Sequence, residues 1–147
     1  MILVDSVTKQ IKDHWRIMAT KATVKATSNN PWKPPPEGWT KANTDAAFSN
    51  DVAAAGVVLK NHRGSIFATS TCSNNCENSI TAEALAILHG CTQLDKLKIK
   101  KAIIESDCCN AISDITLPAI LNSWKAEPIY DEIKKIWGSA RTCPMGC

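Results

Sequence analysis

Asp45, Glu83 and Asp107 are the acids whose types and positions could do chemistry together. The chain has 147 residues, 14 of them Asp or Glu, so most acids are ordinary solvated surface groups. Asp45 differs because it sits among Asn43, Thr44, Ala46, Ala47 and Phe48. An acid at the centre of a strand with apolar flanks needs a partner or a metal. Carboxylates gathered in one place repel one another unless a cation neutralises them. Their hard oxygens suit Mg²⁺ or Mn²⁺. Two such ions about 3.5–4 Å apart can activate a water and stabilise the leaving oxygen of a phosphodiester.

Such chemistry needs elements that bring the acids together. Residues 41–49 read as a strand, with Asn43, Asp45 and Ala47 on one face and Ala42, Thr44, Ala46 and Phe48 on the other. Asn50-Asp51 is a turn signal before a second strand at 52–60. Asn61-His62-Arg63-Gly64 is a tight turn before a third strand at 65–72. Three strands on short turns make an antiparallel meander. Ser79 is the expected N-cap of a helix over 80–95, where Ile80, Ala84, Ile87, Leu88, Cys91 and Leu94 form one stripe. That places Glu83 in the first helical turn. The short run Ala102-Ile103-Ile104 suits a buried parallel strand at 101–105. A right-handed crossover through the helix returns this strand beside the first. Asp107 then lies at the strand end, where sites gather in open α/β sheets. Helices are expected at 108–115 and 129–137, with Pro118 and Pro128 bracketing a loop. The sequence Arg141-Thr-Cys-Pro-Met-Gly-Cys147 shows no strand pattern.

The fold class is therefore α/β. Its sheet is mixed, an antiparallel three-strand meander plus one parallel strand, with flanking helices. Residues 1–27 form an N-terminal helical and basic tail, with apolar positions Val4, Val7, Ile11, Trp15 and Met18 at helical spacing. Residues 28–40 form a proline-rich linker in which Pro34, Pro35 and Pro36 favour extended geometry. The domain occupies 41–140, and 141–147 is an irregular tail.

Charge follows the same division. Residues 1–41 hold seven Lys/Arg against three acids, and residues 42–147 hold ten against eleven. A basic tail suits a polyanionic partner or a solvated arm equally. No stretch approaches the roughly 18–20 apolar residues of a membrane span. The apolar start at 1–4 is shorter than the roughly 7–15 residues of a signal-peptide core. An intracellular protein of nucleus or cytoplasm, not secreted and monomeric, is expected. Seven cysteines make an odd count, which argues for free thiols and no disulfide-linked partner. Cys72 with Cys76, and Cys143 with Cys147, lack the usual spacing of zinc ligands.

Four segments, in order, resemble a known family. They are Trp39-Thr-Lys-Ala-Asn-Thr-Asp-Ala-Ala-Phe48, Ala55-Gly-Val-Val-Leu-Lys-Asn-His-Arg-Gly64, Thr81-Ala-Glu-Ala-Leu-Ala86 and Ile104-Glu-Ser-Asp107. The family is the ribonuclease H-like domain of plant non-LTR retroelements and their host-encoded relatives. It typically shows N-x-D-G-A, G-x-x-x-R-D-x-x-G, A-E-x-x-A and E-S-D at these places. The proline-rich lead-in is similar too. The resemblance implies a Mg²⁺-dependent (or Mn²⁺-dependent) nuclease acting on the RNA strand of RNA–DNA hybrids. It implies that Asp45, Glu83 and Asp107 are the catalytic and metal-binding acids. Ala46 departs from the family glycine, and Lys60-Asn61 stands for Arg-Asp. The family continues into a fifth strand and a final helix bearing a fourth acid and a histidine. Nothing after Ala140 matches these, so both elements are expected to be missing and no fourth acid is assigned. The rival reading is a non-catalytic nucleic-acid-binding remnant. A third is a product that does not fold stably.

Bland roles compete for the other residues. Glu83 could favour the helix dipole, and Asp107 could cap a helix before Cys108. Glu105 is read as solvent-facing or marginal, His62 as an exposed turn residue and His89 as a surface group. Lys96, Lys98, Lys100 and Lys101 could touch phosphate or form a solvated connection. Trp32 and Trp39 could stack on bases, although packing at the domain edge suits them better. Cys108 and Cys109 are read as packing residues.

Overall fold

The computed structural model describes residues 33–116, 126–138 and 145–146. The helix expected within the first 27 residues lies outside them, as do Trp32, Pro118, Cys143 and Cys147.

Thr40–Ser49 (β1), Val52–Lys60 (β2) and Ile66–Asn75 (β3) form the meander, with β2 antiparallel to both neighbours. Asn50 and Asp51 take φ of 49° and 60°, the left-handed pair that a two-residue hairpin loop needs. At the second turn, Asn61 Oδ1 accepts from the N–H groups of Arg63 and Ser65. Gly64 there has φ 76°. The register slips between Leu59 and Lys60, leaving Phe67 as the extra residue of a bulge.

Ser79–Lys96 (α1) then crosses over the sheet to Ala102–Ser106 (β4), which lies parallel to β1. Cys109–Thr116 (α2) and Glu127–Gly138 (α3) follow. The two-residue strand Met145–Gly146 (β5) pairs parallel with β4, completing the order β3-β2-β1-β4-β5.

The core lies between the sheet and its helices. Ala42, Val57, Leu59 and Ile104 meet Ala84, Ile87, Cys91 and Leu94 of α1. Ile112 and Ile115 of α2 and Tyr130 and Ile133 of α3 join the same cluster. Each large side chain fully buried here contributes roughly 1.5–3 kcal/mol relative to exposure.

Four expectations need correction. First, a fifth strand is present, so the sheet does not end at β4. A two-residue strand is too short to carry a period-two pattern, and only its partner reveals it. Second, β3 runs to Asn75 rather than Cys72. Val52 of β2 pairs with Asn75, and Cys76 N–H donates to Asp51 O at 3.0 Å, so pairing outlasts the β-forming residues. Third, the N-cap of α1 is Asn78, whose Oδ1 accepts from Thr81 N–H at 2.8 Å. Fourth, Cys109 is disulfide-bonded, whereas Cys72, Cys76, Cys91 and Cys108 are free thiols. An odd count says nothing about a single pair among seven. No helix of the described residues is long and apolar enough to cross a membrane.

Candidate metal centre

Asp45 stands in the middle of β1, where alternation assigns it to the face opposite Thr44. The parallel partner β4 stops at Ser106, level with Thr44. The edge of β1 at Asp45 therefore has no β4 neighbour, and a notch opens there. The chain leaving β4 places Asp107 at the same level. Ser106 is buried, and its Oγ accepts from Cys108 N–H at 3.1 Å. Cys108 takes the N-cap position of α2, its C=O accepting from Ile112 N–H at 3.2 Å, so the capping role weighed for Asp107 falls to Cys108.

Glu83 reaches the notch from α1. With Asn78 as N-cap, the first turn of α1 contains no acid. Glu83 lies in the second turn, and the dipole explanation for it fails. It is one helical repeat before Ile87 and two before Gly90, on the stripe that faces the sheet. Gly90 makes this approach close. A Cβ built on it would stand 2.8 Å from Thr44 Cγ2, so only a glycine lets the helix lie this near β1.

The three acids meet as expected. One carboxylate oxygen from each of Asp45, Glu83 and Asp107 lies within 4.8 Å of the others. Asp45 Oδ1 accepts from Ala46 N–H at 2.9 Å. Glu83 Oε2 is buried with no hydrogen-bond partner. Burial, followed by the charges of Asp107 and Asp45, pushes the Glu83 carboxyl up from 4.5 to about 8. A buried oxygen lacking a donor, aimed among like charges, is what a cation would satisfy. The donor set is all carboxylate and fits Mg²⁺ or Mn²⁺. Among the described residues this is the one group with the geometry to hold a metal.

Ala46 raises no backbone objection. Its φ is not in the left-handed region, and β1 stays paired with Ala55 across it without a bulge. The remaining candidates lie elsewhere. His89 is half-buried, and its Nε2 hydrogen-bonds Ser70 Oγ at 2.9 Å, which ties α1 to β3 rather than facing solvent. Burial and the nearby Lys96 lower its pKa. His62 stays in the β2–β3 turn. Lys96 at the end of α1, and Lys98 and Lys100 on the α1–β4 connection, are exposed at the end of β4 away from Asp107. Cys108 stands beside the acids, and burial first, with Glu83 and Asp107 adding to it, raises its thiol pKa.

Glu105 is not a solvent-facing bystander but is held by two side chains of β1. Its Oε1 lies 2.7 Å from Lys41 Nζ, and its Oε2 accepts from Asn43 Nδ2 at 3.1 Å. The only signal in the sequence is that Asn43 and Glu105 each precede a site acid by two residues.

A mixed sheet in this order, carrying three acids at the β1–β4 notch, defines a ribonuclease H-like domain. Residues 43–145 match the model of the reverse transcriptase-like family, and the chain belongs to that family. Solved structures share the fold. RNase H1 from the halophilic archaeon Halobacterium salinarum superposes with a TM-score of 0.66 at 15% identity, over 74% of this chain and 83% of that one. The N-terminal RNase H domain of a Mycobacterium tuberculosis protein gives 0.65 at 14%, over 74% and 85%. LC11-RNase H1, solved in complex with an RNA/DNA hybrid, gives 0.60 at 13%, over 72% and 83%. No curated protein matches the sequence.

Proposed function

We propose that this domain hydrolyses phosphodiester bonds in the RNA strand of RNA–DNA hybrids, with Mg²⁺ or Mn²⁺ held by Asp45, Glu83 and Asp107. The observation that carries this is the convergence of three carboxylates within 4.8 Å, one of them with a buried oxygen lacking any donor. LC11-RNase H1, of the same fold, is a protein that holds such a hybrid. A bound divalent ion would polarise the phosphate and lower the pKa of a water. The chain's own part is to fix the separation of the acids. It also keeps Glu83 protonated until a cation arrives. The 2′-hydroxyl is the feature by which such a site tells RNA from DNA.

The same reading makes the protein a monomer of nucleus or cytoplasm, derived from a retroelement. The exposed lysines of the α1–β4 connection suit a polyanion. One observation favours the second reading, a binder that does not cut. Among the described residues the cluster holds three acids and no fourth.

The test is cleavage of a labelled RNA–DNA hybrid in Mg²⁺ by the intact chain and by Asp45→Asn. Cutting of the RNA strand alone, lost in the variant, supports the hydrolase. Hybrid binding without cutting by the intact chain supports the binder instead.

A further inference from the structure

Lys41, Asn43 and Glu105 form a polar cluster on the sheet face that carries Asp45. Asn43 and Glu105 are register partners across β1 and β4. Asp45 lies two residues beyond the first, and Asp107 two beyond the second. Two residues are one repeat of a strand, so the pair sits directly below the two acids. Asp45 and Asp107 repel across this gap, as like charges facing each other across strands do. β4 ends at Ser106, so no ladder bond spans the gap at their level. The last side-chain tie below it on this face is the bond from Asn43 Nδ2 to Glu105 Oε2.

We propose that Asn43 and Glu105 are positioning residues, whose cross-strand hydrogen bond sets the separation of Asp45 and Asp107 and so the affinity for a divalent cation. This rests on the cation-site reading above. A carboxylate can only accept, so the Asn43 amide must turn its NH₂ to Glu105. That orientation leaves Asn43 Oδ1 buried without a donor. A buried acceptor without a donor is costly, and an apolar residue beside its β2 partner Val58 would avoid the cost. What the asparagine supplies in return is the bond to Glu105. Lys41, itself buried, neutralises Glu105 through the 2.7 Å ion pair. Glu105 therefore adds little repulsion to the three carboxylates of the site.

The test is Mn²⁺ binding by titration calorimetry with the full chain, well below its melting temperature, alongside a thermal melt. Asn43→Ala should weaken Mn²⁺ binding about tenfold, the lower end of what loss of a ligand-orienting group produces. Asn43→Asp should weaken it further, because it sets a carboxylate against Glu105. Adding Glu105→Gln to Asn43→Asp should restore binding, since the new amide can donate across the strands in the opposite sense. A merely structural role moves the melt and leaves the affinity of the folded protein unchanged. Unchanged affinity in Asn43→Ala, or no recovery in the double variant, overturns the inference. Should Asn43→Asp fail to fold, Asn43→Ala decides alone. Asp45→Asn is the control: if it too leaves Mn²⁺ binding intact, the cation site itself is wrong.

Discussion

Gly90 of α1 faces the Thr44 methyl of β1 so closely that a Cβ on the glycine would lie 2.8 Å from it. Thr44 precedes Asp45, and Gly90 lies two helical turns beyond Glu83 on the same stripe. The close approach of helix to strand and the meeting of two site acids are therefore one geometric fact. Gly90→Ala should destabilise the protein by about 1–3 kcal/mol through overpacking. Helix propensity alone argues the reverse, since alanine is favoured over glycine inside a helix by roughly 1 kcal/mol. Urea unfolding decides between them, and a stabilised variant would mean that the helix has room to move.

The pH dependence of the metal-free protein follows from Glu83. Its folded-state pKa of about 8 stands above its ordinary 4.5. Between these values the folded protein holds a proton that the unfolded chain has released. Stability should therefore fall as pH rises through this window and level off above it. Glu83→Gln should flatten that fall. Melting temperatures measured across the window, without metal, give the answer, and a rise with pH would contradict the Glu83 environment.

Cation binding should release that same proton. Below pH 8, Mn²⁺ uptake should liberate close to one proton, and above it progressively less. Calorimetry in two buffers of different ionisation enthalpy measures this number directly. A pH-independent value near zero would show that Glu83 is not displaced by the ion.

Asp45→Asn should act in opposite directions with and without metal. It removes one of three mutually repelling charges, so the metal-free variant should melt at or above the parent temperature. It also removes a proposed ligand. Cation at about 100 times its Kd stabilises a binding protein by about 2.7 kcal/mol, and the variant should lose most of this. Melts in Mg²⁺ and in chelator, side by side, separate the two effects.

The cap of α1 gives a local control. Asn78→Ala removes the acceptor for Thr81 N–H and should cost about 1 kcal/mol, while Asn78→Ser should restore most of it. Equal losses in both variants would point to a role for the amide beyond capping.

The meander and the crossover helix were legible in the sequence because each is written in local order, and the three acids stood out through the motifs around them. Alternation along 41–49 put Asp45 on its face, and the stripe through Ile87, Cys91 and Leu94 declared a helix. The return of β4 beside β1 followed from the handedness of the crossover. Tertiary structure decided the remainder. β3 continued to Asn75 because β2 was there to pair with it. Met145 and Gly146 became a strand because β4 offered an open edge, and two residues have no period of their own. Asn78 displaced Ser79 as the cap because capping depends on the backbone angles at one residue, which composition does not determine. The bond from Asn43 to Glu105 joins residues 62 apart in the chain, and only the register of two parallel strands could bring them together.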